Sequence, residues 1–217
     1  MNKHTHFLFL TIAICTVLYG CKKDKLEQLH MYQLSDISNA AVQNARCGID
    51  LANGRLYGVV EGRDHQNDID IAYGYMSSED VETRCFLSLS YAGCFCGGSS
   101  YFSYGDQTGG GGRQGYASYS ILNNTKLAAG QPNIDFDGVA EAGTKAALDA
   151  VFNEHTQNYT NEVLLADKQD NLVTRFVLFK TVKGKRGIIR VKPYTKNTSA
   201  NYNLQENRIS IEVIVEK

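Results

Sequence analysis

Residues 172–192, LVTRFVLFKTVKGKRGIIRVK, contain two strand-like runs around a tight turn, and the reading of this stretch decides the fold. Phe176-Val177-Leu178-Phe179 is a short continuous apolar run of β-favouring residues, the mark of a buried strand within a segment Leu172–Val182. Gly184 to Gly187 turns the chain into a second strand, Ile188–Lys192. Downstream, Arg208–Val215 alternates cleanly, with Ile209, Ile211, Val213 and Val215 on one face. Upstream, Glu162–Ala166 reads as another strand, and Asp135–Phe152 is the clearest helix. Asp137 is placed to cap that helix, while Val139, Leu148, Val151 and Phe152 lie near one face. Phe86–Tyr91 and Ile69–Tyr75 are strand-like, and Ile49–Val59 reads as a hairpin joined at Asn53-Gly54. Strands, one helix and strands again, without βαβ alternation, predict a mainly β (α+β) domain. Its form is an antiparallel β-sandwich or sheet with one main helix packed on it.

The segment 93–119 is dense in glycine and tyrosine, with Gly109 to Gly112 consecutive. It has little backbone preference and is expected to cross the surface as a long loop.

The other end of the chain gives an address. Phe7–Leu18 is an apolar run with Lys3 before it, shorter than the roughly 20 residues a spanning helix needs and of the length of a signal-peptide core. Tyr19-Gly20-Cys21, followed at once by Lys22-Lys23-Asp24-Lys25, looks like a bacterial lipobox, with Tyr19 where a small residue is usual. The expectation is a signal peptide over 1–20, a lipidated Cys21 with a tether over 21–46, and one β-rich domain over 47–217. Two or more acyl chains make a stable anchor where one holds only reversibly. Leu26, Leu29, Leu34, Ile37 and Ala41 in the tether have the spacing of a short amphipathic helix or a plain stem. The chain is then expected at the outer membrane of a Gram-negative cell, held by lipid and facing either the periplasm or the surface.

Composition narrows the classes. The formal charge is −1, with 22 Lys and Arg against 23 Asp and Glu, which argues against nucleic acid as a main partner. Thirteen Tyr, no Trp and only two Pro describe a chain that is neither disordered nor proline-rich.

Four cysteines, Cys47, Cys85, Cys94 and Cys96, would lie outside the cytoplasm, where disulfides persist. Extended, Cys94 and Cys96 point the same way about 6–7 Å apart and bridge poorly to each other. That leaves Cys47–Cys94 with Cys85–Cys96, or Cys47–Cys96 with Cys85–Cys94. Neither a CxxC pair nor a histidine spacing points to metal. Asp64, Asp68 and Asp70 carry oxygen ligands that suit calcium, but lack the glycine and distal glutamate of an EF-hand; solvated strand carboxylates are the commoner state. Between Asn171 and Gln205 there is no acid, whereas Arg175, Lys180, Lys183, Lys185, Arg186, Arg190, Lys192 and Lys196 are basic. Such a run suits anionic lipid or an acidic partner, or else the wet face of a hairpin. The glycine run is no phosphate cradle, and neither a GxSxG elbow nor an HExxH pair is present. No enzyme class emerges, and the expectation is a protein that binds rather than catalyses. Tyrosines between Tyr73 and Tyr119 suit stacking on a flat ligand, or ordinary sheet packing.

Asp50 to Gly54, Asp68 to Tyr73 and Phe176 to Val191 together resemble lipoproteins of Bacteroidetes-type bacteria, in which a DIDxxY-like strand precedes a late FKTxxGKxGxIxV-like hairpin. The functionally understood proteins this pattern distantly resembles are the HmuY-like haemophores, all-β lipoproteins that take up haem at the outer membrane. The resemblance spans roughly Cys47 to Lys217 and implies a β-rich lipoprotein with haem as the candidate ligand. His65, Met76 and His155 are candidate ligands by chemistry alone. The other reading is a structural or adhesion-type surface protein that uses the Tyr/Gly-rich loop against a partner.

Overall fold

The computed structural model describes residues 28–38, 46–58, 61–78, 81–94, 119–167, 169–196 and 208–217, with the backbone alone at 75–78, 81–83 and 92–94. In chain order the strands are β1 (Leu29–Ile37), β2 (Gly48–Asp50), β3 (Arg55–Tyr57), β4 (Ile71–Ser78) and β5 (Val81–Ser88). Helix α1 (Leu89–Cys94) and β6 (Lys126–Ala129) precede α2 (Phe136–Ala142) and α3 (Lys145–Glu154). The chain closes with β7 (Glu162–Leu164), β8 (Phe176–Lys180), β9 (Arg186–Val191) and β10 (Ile209–Glu216). Two antiparallel five-stranded sheets result, sheet one in the order β1-β10-β9-β8-β6 and sheet two in the order β3-β2-β4-β5-β7.

Alternation along the strands sets three layers. Val177 and Phe179 of β8, Ile189 and Val191 of β9, and Ile211, Val213 and Val215 of β10 belong to one buried cluster with Ile49, Ile71, Tyr73 and Phe86 of sheet two. The intervening residues Phe176, Leu178, Ile188 and Ile214 belong to a second cluster with Phe136, Val139, Leu148, Val151 and Phe152 of the helices. Sheet one is thus covered on both faces, which is why Phe176–Phe179 is apolar without a break. Each such side chain contributes roughly 1.5–3 kcal/mol by leaving water. Gly187 is required at the β8–β9 pairing: a Cβ there would overlap the Ile214 carbonyl and the Phe179 ring.

Several local expectations are corrected. The predicted helix over 135–152 is two helices, because Gly143 takes a left-handed φ of 61° and Thr144 caps a fresh start by accepting from the Ala147 N–H. The first helix is capped by Asp135, which accepts from the Gly138 N–H at 2.9 Å; Asp137 turns instead to Arg190. Leu29–Ile37 is neither helix nor stem but a strand paired with β10, Leu29 opposite Glu216. Half of its helix-like spacing comes from a bulge at Leu34–Ile37, where Asp36 has a φ of 59°. The sheet therefore begins ahead of the expected domain start at Cys47. The Asn53-Gly54 hairpin forms between β2 and β3, with Gly54 at a φ of 68° and its N–H bonded to the Asp50 carbonyl.

Candidate binding groove

A groove of about 540 Å³ runs between β1, the β2–β3 hairpin and the 3-10 turn over Glu61–His65. Gln33, Arg46, Arg55, Tyr57, Glu61 and His65 are among the residues that line it. β3 presents Tyr57 to the core, only 5% exposed, with its hydroxyl buried and without a hydrogen-bond partner. The His65 ring stacks on it, centroids 4.7 Å apart and planes 24° off parallel. Asp68 Oδ2 lies 3.9 Å from His65 Nδ1, so the imidazole sits between an aromatic face and a carboxylate. The turn that carries His65 is firmly held. Gln66 Oε1 accepts from the Ser120 and Ile121 N–H groups at 2.7 and 2.9 Å, and Asn123 Nδ2 donates to the Ile69 carbonyl at 2.7 Å.

The other candidate iron ligands lie elsewhere. His155 is 8% exposed and ends α3, its N–H donating to the Val151 carbonyl at 3.0 Å. It belongs to the helical layer on the outer face of sheet one, while His65 belongs to the rim of sheet two. Met76 lies on β4 opposite Thr83, and its side chain is outside the described residues. So the three are not brought together around one ligand by the described structure.

Behind the groove wall lies a pair of carboxylates. Asp50 and Asp70 are each 1% exposed. Asp50 Oδ1 accepts from the Ala52 and Asn53 N–H groups at 3.0 and 2.9 Å, and its Oδ2 takes the Asn53 side chain at 2.8 Å. Asp70 Oδ2 accepts from the Leu51 N–H at 2.9 Å, while its Oδ1 is buried without a partner. Burial, supplemented by Asp50, pushes the Asp70 carboxyl up to about 7. The expectation of solvated carboxylates is corrected for Asp70, which ends the loop before β4 and turns inward, whereas Asp64 and Asp68 stay in reach of solvent. Among the described residues no group of three or more His, Cys, Asp or Glu gathers as a metal cage.

A buried ion pair ties β5 to the connection between β7 and β8. Arg84 of β5 and Asp170 are both fully buried and meet through two hydrogen bonds, Nε to Oδ1 at 2.6 Å and Nη2 to Oδ2 at 2.8 Å. Arg84 Nη1 donates to the Tyr73 hydroxyl at 3.1 Å, Nη2 reaches the Thr195 carbonyl at 3.3 Å, and the Tyr194 ring lies 4.0 Å from the guanidinium. Burial works against the charge, but the bonds to Asp170 and Tyr73 outweigh it and the guanidinium is held even more firmly protonated than usual. None of this was singled out from the sequence. The available signal was a lone Arg84 between β-favouring residues, two positions before Phe86 and so on the same face of β5.

Half of the basic stretch, Lys183, Arg186, Arg190 and Lys192, is paired with acids from other parts of the chain. Arg186 binds Glu216 (2.6 Å) and Asp149, Arg190 binds Glu212 (2.6 Å) and Asp137 (2.8 Å), and Lys192 shares Glu212 (3.1 Å). Arg186 and Arg190 also lie over the Phe152 and Phe136 rings, so they form the seam between the helices and sheet one. Cys47 and Cys85 are buried thiols in this structure, and burial pushes the Cys85 thiol up. The Cys94 side chain and all of Cys96, the partners expected for them, lie outside the described residues, as do Cys21, the signal segment and the Tyr/Gly-rich loop over 95–118. Comparison with known proteins finds no matching family model, no matching curated protein and no matching solved structure.

Proposed function

We propose that the chain is a lipid-anchored cell-envelope protein whose sandwich is a non-enzymatic binding module, with the groove beside His65 as its site and haem as the named ligand. The signal-like run ending in Cys21 supports the anchor, and the make-up of the groove carries the binding. Its volume of about 540 Å³ falls within the 300–1,000 Å³ typical of small-molecule sites. Its lining brings together His65, with a half-exposed imidazole, and two arginines, Arg46 and Arg55. Those residue types fit haem: His65 would hold the iron, and the two arginines would meet the carboxylates. Bound there, haem would supply the iron centre; the chain supplies the site, with Tyr57 and Asp68 fixing the imidazole plane.

A haemin titration of the mature chain carrying Cys21→Ser, followed by absorption, tests this. The expected result is a shifted, saturable Soret band at one haem per chain. His65→Ala should lower the affinity at least tenfold, whereas His155→Ala should leave it unchanged. A spectrum equal to that of haemin with an inert protein removes haem as the ligand. The interaction-protein reading, tested by trimming residues 97–119, then leads.

A further inference from the structure

At one corner of sheet one, distinct from the groove, four elements converge. The start of β1 pairs with the end of β10, Leu29 opposite Glu216, and Gln28 bridges to Thr144 at the start of α3. The β8–β9 turn lies alongside, since Gly187 is opposite Val215. Between them is a recess of about 370 Å³ lined by Gln28, Lys145, Lys183, Lys185, Lys217 and a single acid, Glu216, among other residues. Lys145 is shared with Asp149 at 3.0 Å and Lys183 with Asp68 at 3.2 Å. Lys185 and Lys217 have no carboxylate partner among the described residues; Lys217 Nζ reaches the Gln28 side chain at 3.4 Å. In a chain whose formal charge is −1, this corner concentrates positive charge around a hollow.

Chain length limits how far that corner can lie from Cys21. Gln28 is seven residues beyond Cys21, and a fully extended chain of that length spans at most about 25 Å. Lys22, Lys23 and Lys25 lie within those seven residues. We propose that the lysine-lined recess docks on the phosphate groups of anionic lipid in the membrane that holds Cys21, so that the domain lies against the bilayer by this corner. The proposal rests on the lipidation reading for its geometry. Ammonium groups suit phosphate as mobile point charges, and basic residues held at an anionic surface add affinity that salt screens.

The test uses the mature chain with Cys21→Ser, sedimented with vesicles of phosphatidylcholine alone or with one third phosphatidylglycerol. Binding is expected to the anionic vesicles only, and to weaken as salt rises. The pair Lys185→Gln with Lys217→Gln breaks no internal ion pair and should weaken binding about 30-fold, roughly fivefold per lysine. The charge-matched pair Arg175→Gln with Lys196→Gln, at the other end of β8, should bind as the parent does. Equal binding to both vesicles, or equal loss in both pairs, overturns the proposal. So does tight binding of inorganic phosphate with no binding to vesicles, which would make the recess a site for soluble anions. Because the vesicle series is run without the anchor, it stands apart from mass analysis of the native chain, where an unmodified Cys21 would sink the lipidation reading alone.

Discussion

Replacing Asp170 by Asn isolates the contribution of one charge to the sandwich. Asn is nearly isosteric and tolerates the left-handed backbone at this position, where φ is 57°, so the turn is retained. The Arg84 guanidinium remains, fully buried, with the Tyr73 hydroxyl, the Thr195 carbonyl and the Tyr194 ring around it but without its carboxylate. Two charge-assisted bonds, at 2.6 and 2.8 Å, are weakened together. Leaving one member of a buried pair uncompensated costs about 3–5 kcal/mol. For a domain of this size that lowers Tm by roughly 6–20 °C. Urea unfolding followed by circular dichroism would show a lower midpoint with an unchanged slope. Adding Arg84→Met should recover most of the loss, since an apolar replacement of a buried pair is often neutral or better. An Asp170→Asn variant within about 1 kcal/mol of the parent, or additive losses in the double variant, would refute the idea that these two residues act as one unit.

Three other outcomes follow from the same structure. Asp70 holds its proton more tightly folded than unfolded, its carboxyl being raised from 3.8 to about 7, so its contribution is fully present below about pH 4 and is lost as pH rises through 7. The upper bound is about 4 kcal/mol, and Asp70→Asn should flatten the slope of the urea midpoint between pH 4.5 and 8. Gly187→Ala should cost about 1–3 kcal/mol by forcing the Ile214 carbonyl and the Phe179 ring apart, read as a drop in Tm that Gly184→Ala, in open space but at a φ of 83°, produces only through backbone strain. Thr144→Ala should cost about 1 kcal/mol through the lost cap of α3, detectable as a smaller midpoint shift with no change in haemin binding.

The sheets were legible where one physical cause acted alone. Ile209, Ile211, Val213 and Val215 alternate because β10 has an inner face to fill, and Phe176–Phe179 is unbroken because β8 has two. The break at Gly143-Thr144 was harder to see, since alanines on both sides favour helix and only the left-handed glycine ends it. β1 hides from the two-residue pattern because its bulge shifts Ile37 out of that period. The ion pairs were invisible for a different reason: Arg84 and Asp170 are 86 residues apart, and only the closed sandwich brings them together. The groove shows the same limit. His65 stood out by its chemistry, but Tyr57, Arg46 and Arg55 become its neighbours only once β3 and the 3-10 turn fold against β1.

The pairing of β1 with β10 has a consequence for how the protein is made. Its outermost N-terminal strand finds its neighbour in the last strand of the chain, so sheet one cannot close until residue 216 is available. Contacts at this sequence separation carry a large loop-closure entropy and are slow to form. If the chain is exported as proposed above, threading from its N-terminus would meet a sheet still open until β10 had emerged. It also means that a product truncated before Ile209 leaves both β1 and β9 with unpaired edges. Such a fragment is expected to aggregate or be degraded rather than accumulate as a smaller folded domain.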